Sequence, residues 1–233
     1  MLYNQKDIER LVDEWGFLPF FKGEIEGFSI EEQIAPEHWF DDEDGGYGVW
    51  DWKTDIIVDG DCAYGKFYRG KACFVSMEWF PDLVNWRRSR YVPRADEATL
   101  LALVREHGSL LSNEMKKMGG YVAPPRPRSS NPIERLASKG APRPKAERRG
   151  FDGAVTRLQM GGQLLLADFE YKYDRQGNRY GWSVARYCTP EDFFGVERIH
   201  VERAAEESRE RIVAQLRRVL PWASEVQIAR FVG

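Results

Sequence analysis

Cysteine and histidine are scarce in this chain of 233 residues, with three of each. Cys62, Cys73 and Cys188 are odd in number and far apart, which fits reduced thiols in a cytoplasmic protein rather than a disulfide framework. His38, His107 and His200 are equally scattered, and no Cys/His spacing resembles a zinc site. No metal and no cofactor are therefore expected. No apolar run approaches the roughly 20 residues of a membrane span, and no basic stretch followed by an apolar one marks a signal peptide. A strong charge of either sign is also missing. The net value is −3, which alone argues neither for nor against nucleic acid. What the chain does have is hydrophobic and aromatic residues, 42% and 13%, enough for a proper core in one large domain or two small ones.

The charges are unevenly placed. From Glu24 to Asp61 the chain is acidic, centred on Asp41-Asp42-Glu43-Asp44. That loop reads either as a solvated turn or as four carboxylates able to collect a divalent cation. From Pro124 to Arg149 the chain is basic: Arg126, Arg128, Arg135, Lys139, Arg143, Lys145, Arg148 and Arg149 stand against only Glu134 and Glu147. Six prolines in the same stretch allow at most a turn of helix at Ile133 to Ser138. Residues 124–149 therefore read as a flexible, basic, Pro/Arg-rich insertion.

The fold class expected is α+β, in three regions: an N-terminal α/β region at 1–92, a winged helix at 93–190, and C-terminal helices at 191–233. In the first, Asn4 to Trp15 is a helix with Ile8, Leu11, Val12 and Trp15 on one face, stopped by Gly16. Gly16-Phe17-Leu18-Pro19-Phe20-Phe21 is too apolar to be exposed and reads as a buried connector. Ser29 and Glu32 have capping-box spacing. Tyr47-Gly48-Val49-Trp50-Asp51-Trp52-Lys53 is the densest patch of large functional side chains. One reading is a stacking wall, Trp50 and Trp52, with Asp51 as a catalytic acid and Lys53 on a phosphate. The other is a helix start whose tryptophans fill the core and whose Asp51 pairs locally. A hairpin over 62–76 carries Lys66, Arg69 and Lys71, further candidates for phosphate contact.

In the second region, Ala95 to His107 is a helix, and a short helix begins within Ser109 to Met115 with Ser112 as its cap. After the insertion, Phe151, Val155 and Leu158 mark a third helix, ended by Gly161-Gly162. Leu164 to Tyr173 and Tyr180 to Tyr187 then form a hairpin around a turn containing Arg175 and Arg179. Helix, helix, helix, hairpin is the order of a winged helix-turn-helix. Read so, Arg157 suits a guanine edge and Gln159 an adenine edge, while Arg148, Arg149, Arg175 and Arg179 hold phosphates of double-stranded DNA. In the third region Thr189 caps a helix with Pro190 at its first position. Two closing helices, Ala204 to Leu220 and the one after Ser224, pack back on the core.

Residues 50–88, with WDWK and then CAYGKFYRGKACFVSMEWFPDLVNWRR, followed by GFDGAVTRLQ and a hairpin ending GWSVARY, resemble the AlkZ-like group. These are bacterial winged-helix proteins related to DNA glycosylases that remove alkylated bases and unhook crosslinks, and the closer likeness is to the shorter AlkZ-related proteins. The resemblance implies winged-helix elements around DNA and, in catalytic members, hydrolysis of an N-glycosidic bond. Those members carry a Gln-x-Gln or Gln-x-Asp motif soon after the first helix. Here Pro19 and Phe21 fall where the polar pair would lie. Three functions follow: a DNA-binding protein without the usual catalysis, a glycosylase whose acid has moved to Asp51, and a protein-interaction module.

Overall fold

The computed structural model describes residues 1–39, 48–123 and 145–233. The acidic loop 41–46, the turn at 133–138 and the insertion up to residue 144 lie outside the described residues.

Helix α1 (Gln5–Trp15) starts where the Asn4 side chain accepts from the Asp7 N–H and stops at Gly16, in the left-handed conformation. The apolar stretch after it is not only a connector. Phe17–Pro19 forms strand β1, buried throughout and antiparallel to the strand that contains Cys73, Phe74 and Val75. Ser29 caps α2 (Ile30–Gln33) by accepting from the Glu32 N–H, while the Glu32 carboxylate takes the Ser29 hydroxyl and the Gly27 N–H rather than the Ser29 N–H of a full capping box. Helix α3 (Val49–Asp59) leads to the first hairpin, β2 (Cys62–Tyr68) and β3 (Lys71–Ser76). Its two-residue turn, Arg69-Gly70, has φ of 51° and 72°, the primed geometry that matches strand twist. The sheet order is β1-β3-β2.

Helix α4 (Phe80–Arg90) is followed by α5 (Ala95–His107), β4 (Ser109–Leu111) and α6 (Ser112–Met118). Helix α7 (Phe151–Met160) then feeds β5 (Leu165–Tyr173) and β6 (Arg179–Cys188). The second sheet is also antiparallel, in the order β4-β6-β5. Strand β4 takes the first three residues of the Ser109–Met115 stretch in which only a helix was expected. Its three residues pair with Cys188, Tyr187 and Arg186, and the helix cap falls on Leu111 rather than Ser112. Short helices α8 (Pro190–Phe194) and α9 (Val196–Ile199) precede α10 (Ala205–Val219) and α11 (Glu225–Val232).

The closing helices are part of the core. Phe231 is 1% exposed and meets the rings of Phe17, Phe28 and Tyr68 at 5.4, 5.5 and 4.6 Å. Truncating such a buried ring costs about 3–5 kcal/mol. Arg87 of α4 is buried and donates to the carbonyls of Phe67 (2.5 Å) and Phe231 (3.1 Å), which ties the first hairpin to α11. Burial pushes its guanidinium down to about 10. All three cysteines are buried and unpaired.

A carboxylate of α4 is a main polar tie to α10, beside the Asn85 amide that donates to Ser208 Oγ at 2.9 Å. Asp82 accepts from Arg203 (2.6 Å), the Ser208 hydroxyl (2.6 Å) and Arg211 (3.0 Å). It is 1% exposed, whereas the two arginine side chains are 31% and 41% exposed. The partners therefore keep solvent when the acid is removed, while Ser208 loses its acceptor. Asp82→Ala should lower the unfolding free energy by about 2–3 kcal/mol, and Arg211→Ala by about 1 kcal/mol or less, both read from urea transitions.

Candidate nucleic-acid interface

Helix α7 turns its apolar face inward. Phe151, Ala154, Val155 and Leu158 are buried, and so is Gln159, at 0% exposure. The reason lies on β2. Gly65 pairs with Cys73 and Tyr68 with Lys71, so Lys66 and Phe67 together oppose Ala72 alone. That bulge takes the Lys66 N–H out of the strand ladder, and the N–H donates to Gln159 Oε1 at 2.9 Å. Gln159 Nε2 donates back to the Val155 carbonyl at 3.2 Å. The expectation that Gln159 reads an adenine edge is thereby corrected, because the amide serves the bulge.

Arg157 is also committed internally. Its Nε pairs with Glu97 of α5, a carboxylate at 0% exposure. Glu97 also accepts from the Tyr91 hydroxyl (2.6 Å) and the Arg94 N–H (2.9 Å). Burial opposes its charge, but these hydrogen bonds and Arg157 outweigh burial and hold it below the usual carboxylate range. Glu97 was not singled out in the sequence; it stands three residues after Arg94, in the first turn of α5, where its carboxylate accepts from the Arg94 N–H.

On the first hairpin each basic residue has an internal partner. Lys66 Nζ donates to Thr156 Oγ1 at 3.3 Å, Arg69 pairs with Glu24, and Lys71 Nζ donates to the Lys22 carbonyl at 2.9 Å. At the entrance to α7, Arg149 is exposed and Arg148 half-buried. Arg175 lies exposed in the turn between β5 and β6, which Asp174 organises by accepting from the N–H groups of Gln176 and Asn178, both at 2.9 Å.

The start of α3 faces the second hairpin. Arg179 Nη1 is 3.5 Å from Asp51 Oδ1, and the Arg179 guanidinium lies over the Tyr171 ring at 4.5 Å. Lys53 is 5% exposed, with Nζ 3.8 Å above the Phe169 ring and 4.8 Å from that of Trp50. The Trp52 ring is packed in the core at 7% exposure. Trp52 thus offers no open stacking face and Lys53 no open ammonium, which corrects both expectations: the helix buries them to fill the interior. Trp50 is half-buried, with its Nε1–H unpartnered among the described residues. Its ring meets Phe20 at 5.2 Å and Phe21 at 6.1 Å. The segment carrying Pro19 and Phe21 and the segment carrying Asp51 therefore meet in one aromatic wall.

A family model described as AlkZ related matches residues 2–233. The chain belongs to the AlkZ-related family. The match extends well beyond the motif-bearing stretch, through both closing helices. No curated protein matches, and no solved structure does. Among the described residues of this AlkZ-related protein, no helix is long and apolar enough to cross a membrane.

Burial pushes the Lys53 ammonium down from 10.5 to about 8, with Asp51 pulling part of the way back. Between those values the unfolded chain binds a proton that the folded chain has released. Folding stability contributed by this group therefore rises with pH through that window. Relative to Lys53→Met, the wild type should gain about 3 kcal/mol between pH ~7.5 and ~10.5, measured by urea unfolding at each pH.

Proposed function

We propose that this AlkZ-related protein is a cytoplasmic, double-stranded DNA-binding protein built on a winged helix and lacking the family's glutamine-based catalysis. The observation that carries the reading is topological. Helix α5, strand β4, helices α6 and α7, then strands β5 and β6, with β4 and β5 on either side of β6, is the order of a winged helix. The family relationship to DNA-repair glycosylases supplies the ligand class. The described α7 has a narrow outer face and two internally used polar residues, so this reading rests its contacts on the hairpin and the approach to α7. Arg148, Arg149, Arg175 and Arg179 are the phosphate contacts proposed.

With about four phosphates neutralised by these arginines, log affinity falls with log salt at a slope of roughly −3.5, and Arg175→Ala reduces that slope by about one unit. Titration of a labelled duplex across a salt series tests this, and a flat salt dependence sinks the reading.

A second reading keeps an N-glycosidic hydrolysis, with Asp51 as the acid. The aromatic wall shared by Phe21, Trp50 and the start of α3 favours it. Base release from alkylated duplex that disappears in Asp51→Asn, with folding intact, would support it. Release that survives the substitution removes Asp51 from the role.

A further inference from the structure

The outer end of the second hairpin carries a feature that the phosphate contacts leave unused. Glu170 pairs with Val184 and Lys172 with Tyr180, so Tyr171 alone opposes Gly181, Trp182 and Ser183. Gly181 has φ of 71°, in the left-handed region where a side chain is strained. A bulge of this kind re-aims the side chains it carries. Trp182 is 93% exposed and makes no hydrogen bond or ring contact with any described residue. Tyr173 and Tyr180, on the neighbouring strand ends, are 57% and 52% exposed.

Single exposed apolar side chains need no explanation. Three aromatics on one narrow ribbon, with an indole presented by a glycine-dependent bulge, do. The charges beside them define the partner. Of the two carboxylates on this part of the hairpin, Glu170 is paired with Arg186 at 2.5 Å, and Asp174 is occupied by the turn N–H groups. Lys172 and Arg175 have no ion-pair partner among the described residues. The ribbon thus offers an exposed π face with two unpaired cations toward its turn, Lys172 opposite Tyr180 and Arg175 in the turn itself, a pairing that suits a base held next to its own phosphates.

We propose that Trp182 is a stacking platform for an unpaired nucleobase in DNA, so that the hairpin distinguishes duplex with a displaced or unmatched base from fully paired duplex. This rests on the DNA-binding reading above and adds a preference to it.

The test uses the full chain and two labelled duplexes of the same sequence, one fully paired and one with 2-aminopurine opposite an abasic site. Wild type should bind the second about tenfold more tightly and quench the 2-aminopurine fluorescence. Trp182→Ala should bring the affinity ratio close to one and abolish the quench, and Trp182→Phe should retain part of both. If wild type binds both duplexes equally with a steep salt slope, the platform is wrong and the DNA reading stands. If wild type binds neither, both fall together. A Trp182→Ala chain that keeps the ratio, or that instead changes the sedimentation behaviour of the protein alone, overturns the proposal and assigns the indole to protein contact.

Discussion

The buried carboxylate of Glu97 is the constraint on which the second half of the molecule depends. The described residues break off at 123, after α6, and resume at 145, before α7. Helix α7 must therefore find α5 without a short turn to guide it. Glu97 provides the meeting point by accepting from Tyr91, Arg94 and Arg157, residues from the α4–α5 connection and from α7. A second contact closes the gap, since the Arg148 N–H donates to the Gly120 carbonyl at 3.0 Å. The Tyr121 and Phe151 rings meet edge to face at 5.3 Å on either side of it.

The first hairpin plays the matching part for the N-terminal half. Its bulge asks for an acceptor, and Gln159 of α7 supplies one. The same bulge receives the Arg87 guanidinium at the Phe67 carbonyl, and that guanidinium also reaches α11. Core residues on both sides of residues 92 and 190 pack into common clusters. The three regions expected from the sequence thus share their interiors. The polar residues of α7 pay for this cohesion, which moves the proposed DNA contacts outward to the hairpin.

Much of the fold was legible locally. Asn4, Ser29, Thr189 and Ser224 each cap a helix with their own side chains, and glycines end α1 and α3. Such signals act within a few residues, so sequence order reveals them. Strands β1 and β4 have three residues each, too few for an alternating pattern. Strand β4 exists because β6, almost 80 residues later, offers it an edge. The candidate site was less legible for the same reason. Gln159 stands four residues after the inward-facing Val155, so helical spacing already placed it on the inner face, although its polarity suggested the outer one. Trp182 gave no signal on its own: its exposure follows from a register slip that only pairing with β5 creates, and Gly181 was the sole local trace.

The cysteines show what the dense interior does to reactivity. Burial pushes the Cys73 and Cys188 thiols up to about 12, and Cys62 is pushed up too. Alkylating reagents attack the thiolate, and at neutral pH a group titrating there is ionised only on the order of one part in 100,000. The native fold acts as its own protecting group against electrophiles. A cysteine introduced on the exposed turn at Gln176 would then be the one reactive sulfur among the described residues, a handle for a dye or crosslinker with all three native thiols left in place.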